Sequence, residues 1–250
     1  MATAVVHYSA AAVSDKGRKR PSNEDAFGYS TEHGVYLVCD GMGGAAAGEI
    51  ASSLAVDEFM RLLTNRAADV PLQEVIDEAI LTANEAIYSR SQANPKLSGM
   101  GTTMVSLVVE ERRVRVLNIG DSRCYRLRGG HLEQISQDHS LVDEQVRLGR
   151  MTPAEALRSP LRNVITRALG TQSRVTPDIF ELEAEPGDLF LLCSDGLTRE
   201  LPDTKIESIL ADGQATASLS LEALCCRLVE AANQAGGGDN ITCLLLRADA

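Results

Sequence analysis

The sequence predicts a single α+β domain in which sheets pack together with helices outside them, and three observations carry that prediction. Two helices follow the early strands, a strand-rich middle comes next, and two late helices precede a final strand. The 250 residues contain no repeat, no low-complexity linker and no abrupt change of composition, so residues 1–250 read as one domain. Several apolar runs also end at an aspartate, as though one acidic site were assembled from many strand ends.

Ala4–Val13 alternates loosely and reads as the first strand, ahead of a basic, polar loop through Ser14–Asp25. Ala26–Ser30 and Gly34–Cys39 are short strands separated by a turn. From Ala46 to about Asn65 an apolar stripe of Ile50, Leu54, Phe59, Leu62 and Leu63 predicts a helix. A second helix runs over Leu72–Ser91, with Val75, Ile76, Ala79, Ile80, Ala83 and Ile87 on one face. The Pro, Ser and Gly of Asn94–Gly101 mark a loop. Strands then follow at Thr102–Val109, Arg113–Ile119, Cys124–Arg128 and His131–Ile135, the last two joined by a Gly129-Gly130 hairpin turn. Asp138–Gly170 is charged, carries Pro153 and Pro160, and has weak periodicity, so it reads as an insertion over the surface. Strands resume at Asp178–Glu183 and Asp188–Cys193, helices at Pro202–Leu210 and Leu219–Ala232, and Asn240–Arg247 is the last strand.

Hydrophobic residues make up 44% of the chain, enough for a sizeable core. The formal net charge of −11 argues against nucleic acid or an anionic membrane as the main partner. No segment resembles a signal peptide, and no apolar run approaches the roughly 20 residues that span a bilayer. The six cysteines lack zinc spacing and mostly lie inside apolar runs, which fits buried free thiols in a reducing cytoplasm.

Val35–Glu49 is the stretch around which the candidate site is organised. Its apolar strand runs into Asp40, then into glycines that allow a ligand or ion to approach closely. Asp121 and Asp195 end two further runs, Asp239 precedes another, and Glu24 and Asp25 stand together after Arg20. Magnesium and manganese take such oxygen ligands, and Gly41 could add a backbone carbonyl. Each aspartate alone is more simply a turn or cap residue. Their repetition at the ends of apolar runs favours a metal site. Two other patterns are weaker. Gly41-Met42-Gly43-Gly44-Ala45-Ala46 satisfies a dinucleotide fingerprint, but a second helix follows where that fold needs a parallel strand. Cys193 and Arg199 have the spacing of a cysteine-dependent phosphatase loop, but Asp195 between them would repel the anion.

Arg20-Pro21-Ser22-Asn23-Glu24-Asp25, Asp40-Gly41-Met42-Gly43-Gly44, Gly101-Thr102-Thr103, Gly120-Asp121-Ser122-Arg123, Ser194-Asp195-Gly196 and Gly238-Asp239-Asn240-Ile241-Thr242 occur in that order. Together they resemble the bacterial-type, metal-dependent Ser/Thr protein phosphatases of the 2C class, from about Asp15 to Thr242. The resemblance implies a four-layer α-β-β-α sandwich, two antiparallel sheets flanked by helix pairs, with metals between the sheets at one end. It makes Asp138–Gly170 a flap beside the active site.

Carried onto this sequence, the resemblance implies two Mn²⁺ or Mg²⁺ ions bridged by Asp40, with Gly41 giving its carbonyl. Asp195 and Asp239 would hold one ion, while Glu24, and Asp25 through water, would serve the other. Arg20 would clamp the substrate phosphate with its bidentate fork. A hydroxide shared by ions roughly 3.5–4 Å apart would attack phosphorus in line, without a phosphoenzyme. A third ion on Asp121 and Asp195 would be weakened, because Arg199 stands where relatives carry another aspartate. Ala45 stands where relatives often carry histidine, which leaves a metal-bound water to protonate the leaving group. His139 matches a structural turn of the flap. The expectation is a cytoplasmic, monomeric phosphatase acting on phosphorylated proteins and reversing a bacterial Ser/Thr kinase. The alternative is a weak or inactive phosphoprotein-binding regulator on the same fold.

Overall fold

Apolar residues in unbroken runs, such as Tyr36-Leu37-Val38-Cys39, put side chains on both faces of a strand into a core. The computed structural model, which describes residues 6–215 and 219–249 without the side chains of Ala45, Ala46 and Ala215, shows what covers each face. Strands β1 (His7–Asp15), β2 (Asp25–Ser30) and β3 (Val35–Met42) lead into helices α1 (Ala45–Thr64) and α2 (Leu72–Ala93). Then come β4 (Gly101–Thr102), β5 (Met104–Glu110), β6 (Arg113–Ile119), β7 (Arg123–Arg128) and β8 (His131–Gln134). The flap contributes two short helices, α3 (Leu141–Arg147) and α4 (Pro153–Arg158). The chain continues with β9 (Asp178–Glu183), β10 (Leu189–Cys193), α5 (Asp195–Thr198), α6 (Asp203–Ala215), α7 (Leu221–Ala235) and β11 (Ile241–Asp249).

The strands form two antiparallel sheets. One has the order β1-β11-β10-β7-β8, and the other has β2-β3-β5-β6-β9 with β4 on β3. Three cores result. Leu37 and Cys39 pack with Phe59, Ile76 and Ile80 under the first helix pair. Leu191, Cys193, Cys243 and Leu245 pack with Leu224 and Leu228 under the second. Between the sheets, Tyr36, Val38, Val105 and Leu107 meet Phe190, Leu192, Leu244 and Leu246. Alternate residues of β3, β10 and β11 therefore serve different cores, which gives the expected four layers.

The elements match the expected order, with informative differences at their ends. Ala4 and Val5 of the expected first strand lie outside the described residues. The third strand does not stop at Cys39 but runs through Asp40 and Gly41 to Met42, because β4 pairs with it there. Asp40 therefore sits inside a strand, and the glycine turn begins only at Gly43 and Gly44, both at positive φ. Thr103 interrupts the run expected at Thr102–Val109, and Asp195 opens the unforeseen helix α5. Gly129 and Gly130 both have positive φ and close the expected two-residue hairpin.

Phe190 is fully buried in the core between the sheets, so its removal leaves a cavity that neither sheet can fill. Phe190→Ala should cost about 3–5 kcal/mol, read as a lowered urea midpoint at unchanged slope.

Candidate metal centre

Antiparallel pairing brings the end of one strand beside the start of the next, and here it gathers the acidic residues at one edge. Asp25 opens β2 directly opposite Asp40 on β3. Cys193, which ends β10, pairs with Cys243 near the start of β11, so Asp195 and Asp239 flank the same edge of the other sheet. Asp121 follows β6 across Gly120, which has positive φ. A Cβ at Gly120 would meet the Thr103 side chain at 2.5 Å, so the tight passage needs glycine. Gly41 is equally constrained, since a Cβ there would lie 2.1 Å from the Gly48 carbonyl of α1.

Hydroxyl and amide groups hold this edge in place. The Asp40 carbonyl accepts from the Thr103 amide at 2.9 Å and the Thr102 hydroxyl at 2.8 Å. The Asp40 amide donates to Thr103 Oγ1, which is also 2.7 Å from Ser122 Oγ. Asp25 Oδ2 accepts from Ser194 Oγ at 2.7 Å and Thr242 Oγ1 at 2.6 Å, which ties one sheet to the other. Asn240 accepts from the Glu24 amide and donates to the carbonyls of Lys16 and Ser22, fixing the loop that carries Arg20. None of these supporting roles follows from the spacing of the motifs, although the residues lie within or beside them. His139 is structural, as expected: its buried ring accepts from the Gly120 amide at 3.0 Å. Burial lowers its pKa, which keeps it neutral.

Two guanidinium groups enter the acidic cluster. Arg20 and Arg199 both contact Asp239 Oδ2, at 2.7 Å and 3.2 Å. Arg199 also pairs with Asp195 and stands 3.8 Å from Asp121. With Asp195 and Asp239 drawn to arginine, no three acidic, histidine or cysteine side chains among the described residues converge on one ion-sized point. The donor set nevertheless suits divalent cations. Buried Oδ1 atoms of Asp25, Asp121 and Asp195 have no hydrogen-bond partner, an expensive condition for a carboxylate. Burial, followed by repulsion from Asp25 and Asp195, raises the Asp40 pKa well above its usual range. Burial and the Asp121 charge do the same to Asp195. Hard oxygen donors crowded this way fit Mn²⁺ or Mg²⁺.

Residues 16–236 match the family described as Protein phosphatase 2C. The chain belongs to that family. Among its relatives, the serine/threonine phosphatase stp of Listeria monocytogenes is 38% identical over 245 residues, covering 94% of each chain. The crystal structure of the Mycobacterium tuberculosis serine/threonine phosphatase PstP/Ppp has a TM-score of 0.88 at 36% identity, covering 98% of this chain and 100% of that one. The catalytic domain of PstP in complex with two manganese ions has a TM-score of 0.86 at 35% identity, covering 99% and 100%. These likenesses agree with the sandwich of two antiparallel sheets. The cysteine-dependent alternative fails on chemistry. Cys193 is buried and its thiol is pushed up to about 12, so it is no thiolate. The dinucleotide reading fails on topology, since β3 pairs antiparallel with β2, β4 and β5.

The crowded carboxylates set the pH response of the metal-free protein. Burial raises Asp25 from 3.8 to about 6, against the Thr242 and Ser194 hydrogen bonds, and Asp121 also rises to about 6 through burial. Between those values the folded state binds more protons than the unfolded state, so stability falls as pH rises through the window. In EDTA the thermal midpoint should drop between about pH 4 and pH 6, and Asp25→Asn should flatten that slope. A midpoint that rises over the same interval would contradict the repulsion account.

Proposed function

We propose that this chain is a single catalytic domain that hydrolyses phosphoserine and phosphothreonine in proteins. Two Mn²⁺ or Mg²⁺ ions are assigned to Asp40, Gly41, Asp195 and Asp239, with Glu24 and Asp25 beside them. The observation that carries the reading is the cluster of carboxylates from both sheets with unpartnered buried oxygens, in a family whose PstP member is described with two manganese ions. When bound, such ions activate water and neutralise phosphate charge.

The rest is supplied by the chain's own residues. Thr102 and Thr103 bind the Asp40 backbone rather than its carboxylate, which leaves that carboxylate free to act at the centre of the site. Asp25 is oriented by Ser194 and Thr242, and the Asn240 contacts hold Glu24 in register with it. Arg20 is exposed at the rim and is the group proposed to grip the substrate phosphate. Positive charge there stabilises the phosphoryl group as the alkoxide leaves. A binding-only regulator on this fold has no observation in its favour, since Arg20, Glu24, Asp25, Asp40, Asp195 and Asp239 are all present.

Arg199 is proposed to limit the centre to two ions, because its guanidinium already neutralises Asp121 and Asp195. The chain is further proposed to act as a cytoplasmic monomer opposing a Ser/Thr kinase, and its buried free thiols suit a reducing compartment.

Release of phosphate from a phosphothreonine peptide should require Mn²⁺, stop with EDTA and survive a thiol alkylator. Asp40→Asn should lower kcat by roughly 10²–10³-fold. Retained turnover in that variant would remove Asp40 from the chemistry. Calorimetric titration should give two Mn²⁺ per chain, and Arg199→Asp should add a third. Tight binding of a third ion to the unaltered protein would refute the role given to Arg199.

A further inference from the structure

The acidic centre opens sideways into a cavity of about 550 Å³ beneath the flap. Asp121, Asp195 and Arg199 belong to both the centre and the cavity wall. The facing wall is apolar and comes from the flap helices, with Val146 on α3 and Pro153, Ala156 and Leu157 on α4. Leu157 is 76% exposed, and Leu148, Leu161 and Val164 of the flap are exposed as well. Half of the exposed large hydrophobic residues among the described residues therefore fall in this one insertion. Of the four, Leu157 lines the cavity, and an apolar wall of that kind, continuous with a reactive centre, marks a surface that binds something.

We propose that the cavity takes an aliphatic side chain of the phosphoprotein, close in sequence to the phosphorylated residue. The inference rests on the phosphatase reading above and specifies its substrate class. Most charges in the wall are already paired, which leaves its apolar face to select the occupant. Asp138 is ion-paired with Arg123 at 2.7 Å, Asp143 with Arg147 at 3.2 Å, and Arg199 with Asp195. The wall carries both signs, with Asp121, Asp138, Asp143 and Asp195 against Arg123, Arg162 and Arg199, so a charged side chain of either sign meets repulsion as well as attraction there. An aliphatic side chain meets no charge of its own sign and removes Leu157 from water. A volume of 550 Å³ holds such a side chain with the adjoining backbone, so the peptide is anchored at two points, by its phosphate and by its apolar neighbour.

The test compares phosphothreonine peptides that differ only in carrying Leu or Ser at positions flanking the phosphate. Hydrolysis with Mn²⁺ should favour the Leu peptide by roughly tenfold in kcat/KM, the discrimination usual for an apolar pocket. Leu157→Ser should abolish most of that preference and Leu157→Met should keep it. Both variants should hydrolyse p-nitrophenyl phosphate, which is too small to reach both anchors, at the unaltered rate. Fluorescence anisotropy of the same peptides on the Asp40→Asn protein should show the same order of affinity. Equal handling of the two peptides, or an unchanged preference in Leu157→Ser, would overturn the inference. Failure to release phosphate from any substrate would instead remove the phosphatase reading, and the anisotropy comparison would still decide the cavity.

Discussion

Six carboxylates, of Glu24, Asp25, Asp40, Asp121, Asp195 and Asp239, crowd the edge where two sheets end and water is partly excluded, and repulsion among them is what the surrounding structure must resist. The resistance is built from neutral groups first. Thr102 and Thr103 grip the backbone of Asp40, while Ser194 and Thr242 grip one oxygen of Asp25 and leave the other bare. Such hydrogen bonds fix position without cancelling charge, which suits a site that must stay negative enough to attract cations. The two arginines supply partial neutralisation, converging on the same oxygen of Asp239. Buried charge left wholly uncompensated would cost several kcal/mol per ion. The three apolar cores must therefore hold the strands firmly enough that the acidic edge does not splay.

The division of labour between the strands shows why much of this was legible from the sequence. A run such as Tyr36-Leu37-Val38-Cys39 is apolar throughout because alternate residues enter different cores. Unbroken apolarity and a length of a few residues thus announced buried strands, and the helical stripes announced their cover. The acidic residues were visible because each stands at a change from apolar to glycine-rich or polar sequence. What stayed hidden depends on long-range partners. Gly41 reads as a turn, yet it lies in a strand because Thr102 pairs with it across a wide gap in sequence. The tasks of Ser122, Ser194 and Thr242 are equally invisible, since a hydroxyl has no signature until its acceptor is known. Arg199 was conspicuous as a departure from the family pattern, but its contact with Asp239 appears only in three dimensions.

The order of the chain matters for the same reason. The first strand of the described fold pairs with the last, from His7 opposite Asp249 to Asp15 opposite Ile241, and the last also lies against β10. Contacts between residues so distant in sequence close late, because the loop entropy they must overcome is large. On the ribosome, where the chain emerges from its N-terminus, the edge strand β1 stays cut off from β10 until β11 arrives between them. The same late segment brings Asp239, Asn240 and Thr242, which complete the anchoring of Asp25 and of the Arg20 loop. Completion of the β1–β11 pairing and completion of the acidic centre therefore depend on the same last segment of the chain.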